Sequence, residues 1–349
     1  MISLSNILPP TTDLSQQIKP YTYNYKTVLA TLFICDMLLY READMKTVKI
    51  GNLSGVPSVA VGCMRIPSLD EKKATEFVAQ AVANGLNFFD HADIYGCGES
   101  EKLFAKAVKN AGLKREDLLL QSKCGIVRGK MYDFSKQHIL NSVDGILSRL
   151  DTDYIEILLL HRPDALMQPE EVGEAFDTLR KQGKVRQFGV SNMRPMQIEL
   201  LQSGLNCKLA VNQIQFSPAH AGAIRSGFEF NMLTDGASDK DGSVIEYCRL
   251  KGITLQAWSP FQHGFFKGTY IDDPDYEKLN AALEETGNHY GISKSAAAVA
   301  WICRHPANIQ TVTGTTNIAR LLEIKKGADV TISREEWYKI YTAAGNRLP

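Results

Sequence analysis

The sequence predicts an α/β fold, a (β/α)8 barrel of the TIM type, on three observations. Eight short, β-rich apolar runs occur from residue 59 onward, stretches of helical period lie between them, and no G-x-G-x-x-G turn follows the first run. Strand-like runs alternating with amphipathic stretches are the mark of repeated βα units around a parallel sheet. The missing turn argues against a doubly wound open sheet, which normally carries a dinucleotide on it.

The predicted strands, in order, are VAVG (59–62), NFFDHA (87–92), LLLQSKC (118–124), YIEILLLH (154–161), QFGVS (187–191), LAVNQIQ (209–215), TLQAWSP (254–260) and IQTVTG (309–314). Their near-continuous apolar character suits strands buried on both faces. Between them, EKKATEFVAQAVANG, SKQHILNSVDGILSRL and PEEVGEAFDTLRKQG have helical period and end near a glycine or turn able to stop a helix. GCGESE (96–101) has two glycines and is expected to be a loop. The long connections Phe216–Gly242 and Phe261–Asp275 follow strands, where barrel enzymes place substrate loops, and are candidate lids. Phe216, Phe261, Phe265 and Phe266 suggest a partly apolar pocket.

Residues 45–349 are expected to form the barrel domain, with MKTVKIGNLSGVPSVAVG as its natural beginning. Residues 1–44 are expected to be an accessory, disordered or mis-assigned extension. Their one apolar run, Val28 to Tyr40, is too short for a membrane span, contains Asp36 and lacks the flanks of a secretory signal. With 39 Lys+Arg against 39 Asp+Glu, the chain has no global field to hold nucleic acid or an acidic membrane surface, so neither is an expected partner. Seven scattered cysteines without a C-x-x-C pair point to reduced thiols in a cytoplasmic protein, and no metal site is expected. Oligomeric state leaves no trace, and a monomer is compatible with the sequence.

Barrel enzymes assemble their sites at the carboxyl ends of the strands. Three successive predicted strands bring ionisable groups there: Asp90 and Tyr95 at the second, Lys123 at the third and His161 at the fourth. A phenol with a pKa of about 10 is a sluggish acid-base group unless a nearby cation stabilises its anion. Lys123 is placed to do so and to lower the Tyr95 pKa, with Asp90 keeping the ammonium charged and oriented. A neutral His161 would then hydrogen-bond a substrate carbonyl. Alone, such residues are more often caps, solvated charges or packed side chains; four on one rim favour chemistry. His91 and Asp93 receive no catalytic role, because strand alternation turns at least one of them away from the lumen.

FFDHADIYG, LLLQSKC, YIEILLLHRPD, FGVSN, VNQIQ, AWSP and GTTNIARL resemble, in order and spacing, the signature segments of the aldo-keto reductase superfamily, across about residues 46–349. The C-terminal EEWYKIYTAAGNRLP is similar to its bacterial oxidoreductase branch. The resemblance implies an Asp-Tyr-Lys-His tetrad at Asp90, Tyr95, Lys123 and His161, a small-molecule carbonyl substrate, and NADPH bound extended, with NAD as the alternative. It also implies that Ser191, Asn192 and Gln213 hold the nicotinamide carboxamide, with Trp258, beside Ser259 and Pro260, as the ring platform. Gly62 and Cys63, after the first strand, join the expected cofactor contacts. The turn Gly314-Thr315-Thr316, before a helix starting near Ile318, offers backbone N–H groups and a helix end to a phosphate. The resemblance implies that Arg320 takes the 2′-phosphate of NADP or stacks on adenine. Thr316 stands where many relatives carry a basic residue, and Glu323 offers a carboxylate for ribose hydroxyls instead. The expected reaction is hydride transfer between nicotinamide and an aldehyde or ketone, with Tyr95 as general acid. Two alternatives are a non-turnover redox-sensing subunit that holds nicotinamide and a Schiff-base aldolase acting through Lys123.

Overall fold

In the computed structural model, residues 46–264 and 267–349 are described. The expected extension, residues 1–44, and Phe265 and Phe266 lie outside the described residues. Eight parallel strands close into a barrel: β1 Val59–Gly62, β2 Phe88–Asp90, β3 Leu119–Cys124, β4 Ile155–Leu160, β5 Val185–Ser191, β6 Val211–Gln215, β7 Thr254–Trp258 and β8 Gln310–Thr313. Closure comes from β8 against β1, with Thr311 opposite Val59 and Thr313 opposite Val61. Each strand falls within or beside its predicted run.

Around the barrel lie α1 Glu71–Ala83, α2 Glu99–Asn110, α3 Lys136–Leu150, α4 Pro169–Lys181, α5 Pro195–Ser203, α6 Gly222–Phe228, α7 Val244–Lys251, α8 Glu277–Tyr290, α9 Lys294–Arg304, α10 Ile318–Asp329 and α11 Arg334–Ala343. Local chemistry starts several of them. Asp70, Ser135, Ser293, Asn317 and Ser333 cap helix N-termini with their side chains, and Pro169 and Pro195 open α4 and α5. The helix α1 buries Ala74, Phe77, Val78 and Ala81, a stripe at helical spacing that packs on the barrel. Within GCGESE the expectation of a loop is corrected. Glu99, Ser100 and Glu101 are the first turn of α2, entered after a tight turn in which Gly96, Cys97 and Gly98 all have positive φ.

Strand alternation divides the core in two. Outward residues such as Val61, Phe89, Leu120, Leu158 and Phe188 join the layer beneath the helices. Inward residues Ala60, Phe88, Ile157, Leu159, Val211 and Val312 fill the lower lumen. A hairpin of Thr47–Ile50 and Leu53–Pro57, absent from the predicted elements, adds Val48, Ile50 and Val56 to that inner cluster. Above this plug the inward positions change from apolar to polar, and there the site begins. Among the described residues, no helix is long and apolar enough to cross a membrane.

Candidate active site

The alternation that buries Phe88, Ile157 and Leu159 in the lumen also turns Asp90 and His161 inward, two residues further along their chains. Lys123, fully buried on β3, donates to both Asp90 oxygens at 2.7 Å, to the His91 carbonyl at 2.8 Å and to the Tyr95 hydroxyl at 3.3 Å. These groups use the three hydrogens of the ammonium. The Tyr95 and His161 rings meet edge to face with centroids 6.0 Å apart. All four predicted tetrad residues therefore share one rim.

The electrostatics agree with the expected roles in part. Burial works against the Lys123 charge, but the Asp90 carboxylate and the Tyr95 oxygen together outweigh it and raise Lys123 above the ordinary lysine value. Burial, and next the Lys123 cation, hold His161 well below the usual imidazole range, so the ring is neutral. Its Nδ1 is buried without a partner among the described residues. Tyr95 departs from expectation: burial pushes its phenol above 10 even though Lys123 pulls it down. Desolvation of the phenolate exceeds the gain from one cation whose closest bonds go to Asp90.

The expected ring-binding residues cluster beside the tetrad. Ser191 donates to the Gln213 carbonyl at 2.9 Å, and Asn192 donates to Ser191 Oγ at 2.7 Å and to the His161 carbonyl at 3.4 Å. Trp258 Nε1 donates to Asn192 Oδ1 at 3.0 Å, which fixes the indole against β5. Asn192 and Ser259 have positive φ, a strained backbone of the kind that clusters at functional sites. Ser259 donates to Gln262 at 2.9 Å, and the Pro260 carbonyl accepts from Tyr270 at 2.7 Å, so both brace the loop after β7. Gly62 packs under β8, where a Cβ would lie 3.2 Å from the Thr313 carbonyl. At the other end, Asn317 caps Arg320 N–H at 3.0 Å and Thr315 Oγ1 accepts from Asn317 N–H at 3.2 Å. Thr316 is partly exposed, and the exposed Arg320 side chain makes no ion pair among the described residues.

Several expectations are corrected. The Cys63 thiol is fully buried in the core and its carbonyl accepts from Ser100, so a cofactor contact there would be made through the backbone and not through sulfur. Glu323 accepts from Ser293 N–H at 3.2 Å and pairs with Lys326 at 2.6 Å, so it braces α9 against α10, and a contact to ribose hydroxyls would compete with these bonds. Phe216 stacks on Trp301 with centroids 5.4 Å apart inside the core, so it lines no pocket. Phe261 packs against the same core. His91 is buried against Phe104 with centroids 4.6 Å apart, outside the lumen, as alternation requires.

Other residues at the site were missed. Gln121, Gln256 and Gln310 are buried in the lumen, where Gln121 donates to Asp90 Oδ1 at 2.6 Å. Their signal was an amide within a largely buried strand, which is costly unless paired. Arg65 donates to the Gly314 carbonyl at 3.2 Å, and the Arg162 guanidinium lies 5.9 Å from the Trp258 ring centroid.

Comparison with known proteins gives the family. Residues 58–344 match the Aldo/keto reductase family. The chain is 35% identical over 277 residues to the 6-dehydroglucose reductase of Agrobacterium fabrum, covering 76% of this chain and 86% of that protein. It is 33% identical over 285 residues to the oxidoreductase YdhF of Escherichia coli, covering 79% and 89%. An aldo-keto reductase from Klebsiella pneumoniae, solved in complex with NADPH, shares the fold with a TM-score of 0.69 at 22% identity, covering 87% of this chain and 97% of that one. With the family match spanning the barrel and its rim, this chain belongs to the aldo/keto reductase family.

Proposed function

We propose that this protein is an NADP(H)-dependent carbonyl reductase in which Tyr95 gives a proton to the oxygen of an aldehyde or ketone. The observation that carries this reading is the Tyr95 hydroxyl 3.3 Å from a Lys123 ammonium that Asp90 grips through both oxygens. Raised above 10, the Tyr95 phenol stays protonated at neutral pH and is ready to donate. Lys123 then limits the cost of the phenolate left behind. In neutral His161 the cheaper tautomer leaves a lone pair on the unpartnered Nδ1 and carries the hydrogen on Nε2. That N–H orients the carbonyl oxygen beside Tyr95.

The residues present fit a nicotinamide dinucleotide. Both amide hydrogens of Gln213 are used, on Asp90 at 3.1 Å and Gln256 at 2.9 Å, so Oε1 is left to accept from a carboxamide. Trp258 offers a fixed aromatic face beside Asn192 and Ser191, and Arg320 with the Gly314 turn offers charge and N–H groups to phosphates. With Glu323 engaged elsewhere, Arg320 supports NADP(H) over NAD. When bound, the nicotinamide supplies the hydride. A Schiff-base mechanism is disfavoured because it needs an uncharged amine, whereas Asp90 holds the Lys123 charge.

Steady-state rates on a panel of aldehydes, ketones and carbonyl sugars, with NADPH and with NADH, test the assignment. The sugars are included because two relatives, at 35% and 32% identity, are named 6-dehydroglucose reductases. Faster oxidation of NADPH than of NADH by at least one carbonyl is expected. No carbonyl-dependent oxidation of either would contradict the reading, and tight binding without turnover would favour a sensing subunit.

A further inference from the structure

The polar layer in the upper lumen forms one chain whose ends can only accept hydrogen bonds. At the lower end, Gln310 donates to the Pro57 carbonyl at 2.7 Å, which leaves its Oε1 to accept from Gln256 at 2.7 Å. Gln256 and Gln121 form a reciprocal amide pair at 2.9 and 3.0 Å. At the upper end, Gln121 and Gln213 both donate to Asp90 Oδ1, at 2.6 and 3.1 Å. Gln256 Oε1 accepts from both of these amides at 2.9 Å. A carbonyl below and a carboxylate above therefore dictate the orientation of every amide between them. Gln256, fully buried on β7, is the amide that joins Gln121 and Gln213 from below, as Asp90 joins them from above.

We propose that Gln256 is a positioning residue that sets both halves of the site at once. Through Gln121 it steadies Asp90, and hence the Lys123 ammonium at the Tyr95 hydroxyl. Through Gln213 it locks the amide so that Oε1 would be the atom left for a nicotinamide carboxamide. A flipped Gln213 would present two N–H donors to the carboxamide nitrogen and nothing to accept from it. The inference rests on the function proposed above and adds a residue that touches neither substrate nor cofactor.

The test compares wild type with Gln256→Met, similar in length but unable to donate or to accept strongly. NADPH affinity is followed by fluorescence quenching, alongside adenosine 2′,5′-bisphosphate, which lacks the nicotinamide end. Loss of the amide lock predicts NADPH binding weaker by about fivefold or more, with the bisphosphate within about twofold. It also predicts a kcat lower by about tenfold and an alkaline limb of its pH profile moved upward as Lys123 slackens from Tyr95. Glu156→Gln, a buried change at the foot of β4 where Arg115 pairs with Glu156 at 2.8 Å, is the control. It should lower Tm and leave both affinities and kcat unchanged. Equal weakening of NADPH and the bisphosphate in Gln256→Met, or loss of Tm alone, overturns the proposal. If Gln256→Met does not fold, Gln121→Met serves: it should lower kcat while preserving NADPH affinity, and the reverse pattern overturns the proposal. A wild type that neither binds NADPH nor reduces carbonyls contradicts the parent reading, and this is seen before any variant is made.

Discussion

Two acids three residues apart differ in their partners. Asp90 receives Lys123, Gln121 and Gln213, whereas Asp93 Oδ1 is buried with no partner among the described residues. Burial, and next the nearby Glu101, push Asp93 up to about 7. Because its folded value exceeds that of an unfolded aspartate, the folded protein keeps a proton that the unfolded chain has released. Stability therefore falls as pH rises from about 4 to about 7. Asp93→Asn is expected to shrink the drop in Tm between about pH 5 and 8; an unchanged drop would contradict it. The active-site rings lead to a different profile. With His161 neutral well below its usual range and Tyr95 protonated above 10, kcat for reduction should be flat from about pH 6 to 9. A rate limb near pH 6.5 would contradict the neutral His161. The tetrad positions were legible because strand alternation and order place them on one rim without further knowledge. The direction of the Tyr95 shift was not, since it balances burial against a cation whose distances only the fold supplies.

At the scale of elements, the eight strands were legible because buried parallel strands are apolar runs with few competing readings. The N-terminal hairpin was not, because TVKI and LSGVP are short and their burial depends on a lumen that exists only after closure. At its turn, Gly51 has φ +52° and packs on Gln187, so any side chain there would strike that amide. The hairpin inserts Ile50, fully buried, into the barrel floor. Ile50→Ala is expected to cost about 2–5 kcal/mol, measured by urea unfolding, with little change in NADPH affinity at the opposite face. A loss below about 0.5 kcal/mol would contradict the plug. The glutamine layer was equally hidden: Gln121, Gln256 and Gln310 stand in three separate runs, and their meaning lies in bonds across the lumen.

For the molecule as a whole, closure is what converts scattered residues into a site. Asp90, Lys123 and His161 come from three neighbouring βα units, while Gln213 comes from β6, across the lumen, and meets Asp90 inside a ring that β8 closes against β1. The phosphate end depends on the same closure, since Arg65, after β1, reaches Gly314, after β8. Proton donation by Tyr95 is the claim on which this organisation bears most directly. The deciding measurement is turnover and NADPH affinity of Tyr95→Phe, which keeps the ring and removes only the hydroxyl. A kcat lower by about a thousandfold or more, with NADPH affinity within about twofold, is the predicted result. Retention of more than about a tenth of wild-type turnover would contradict it.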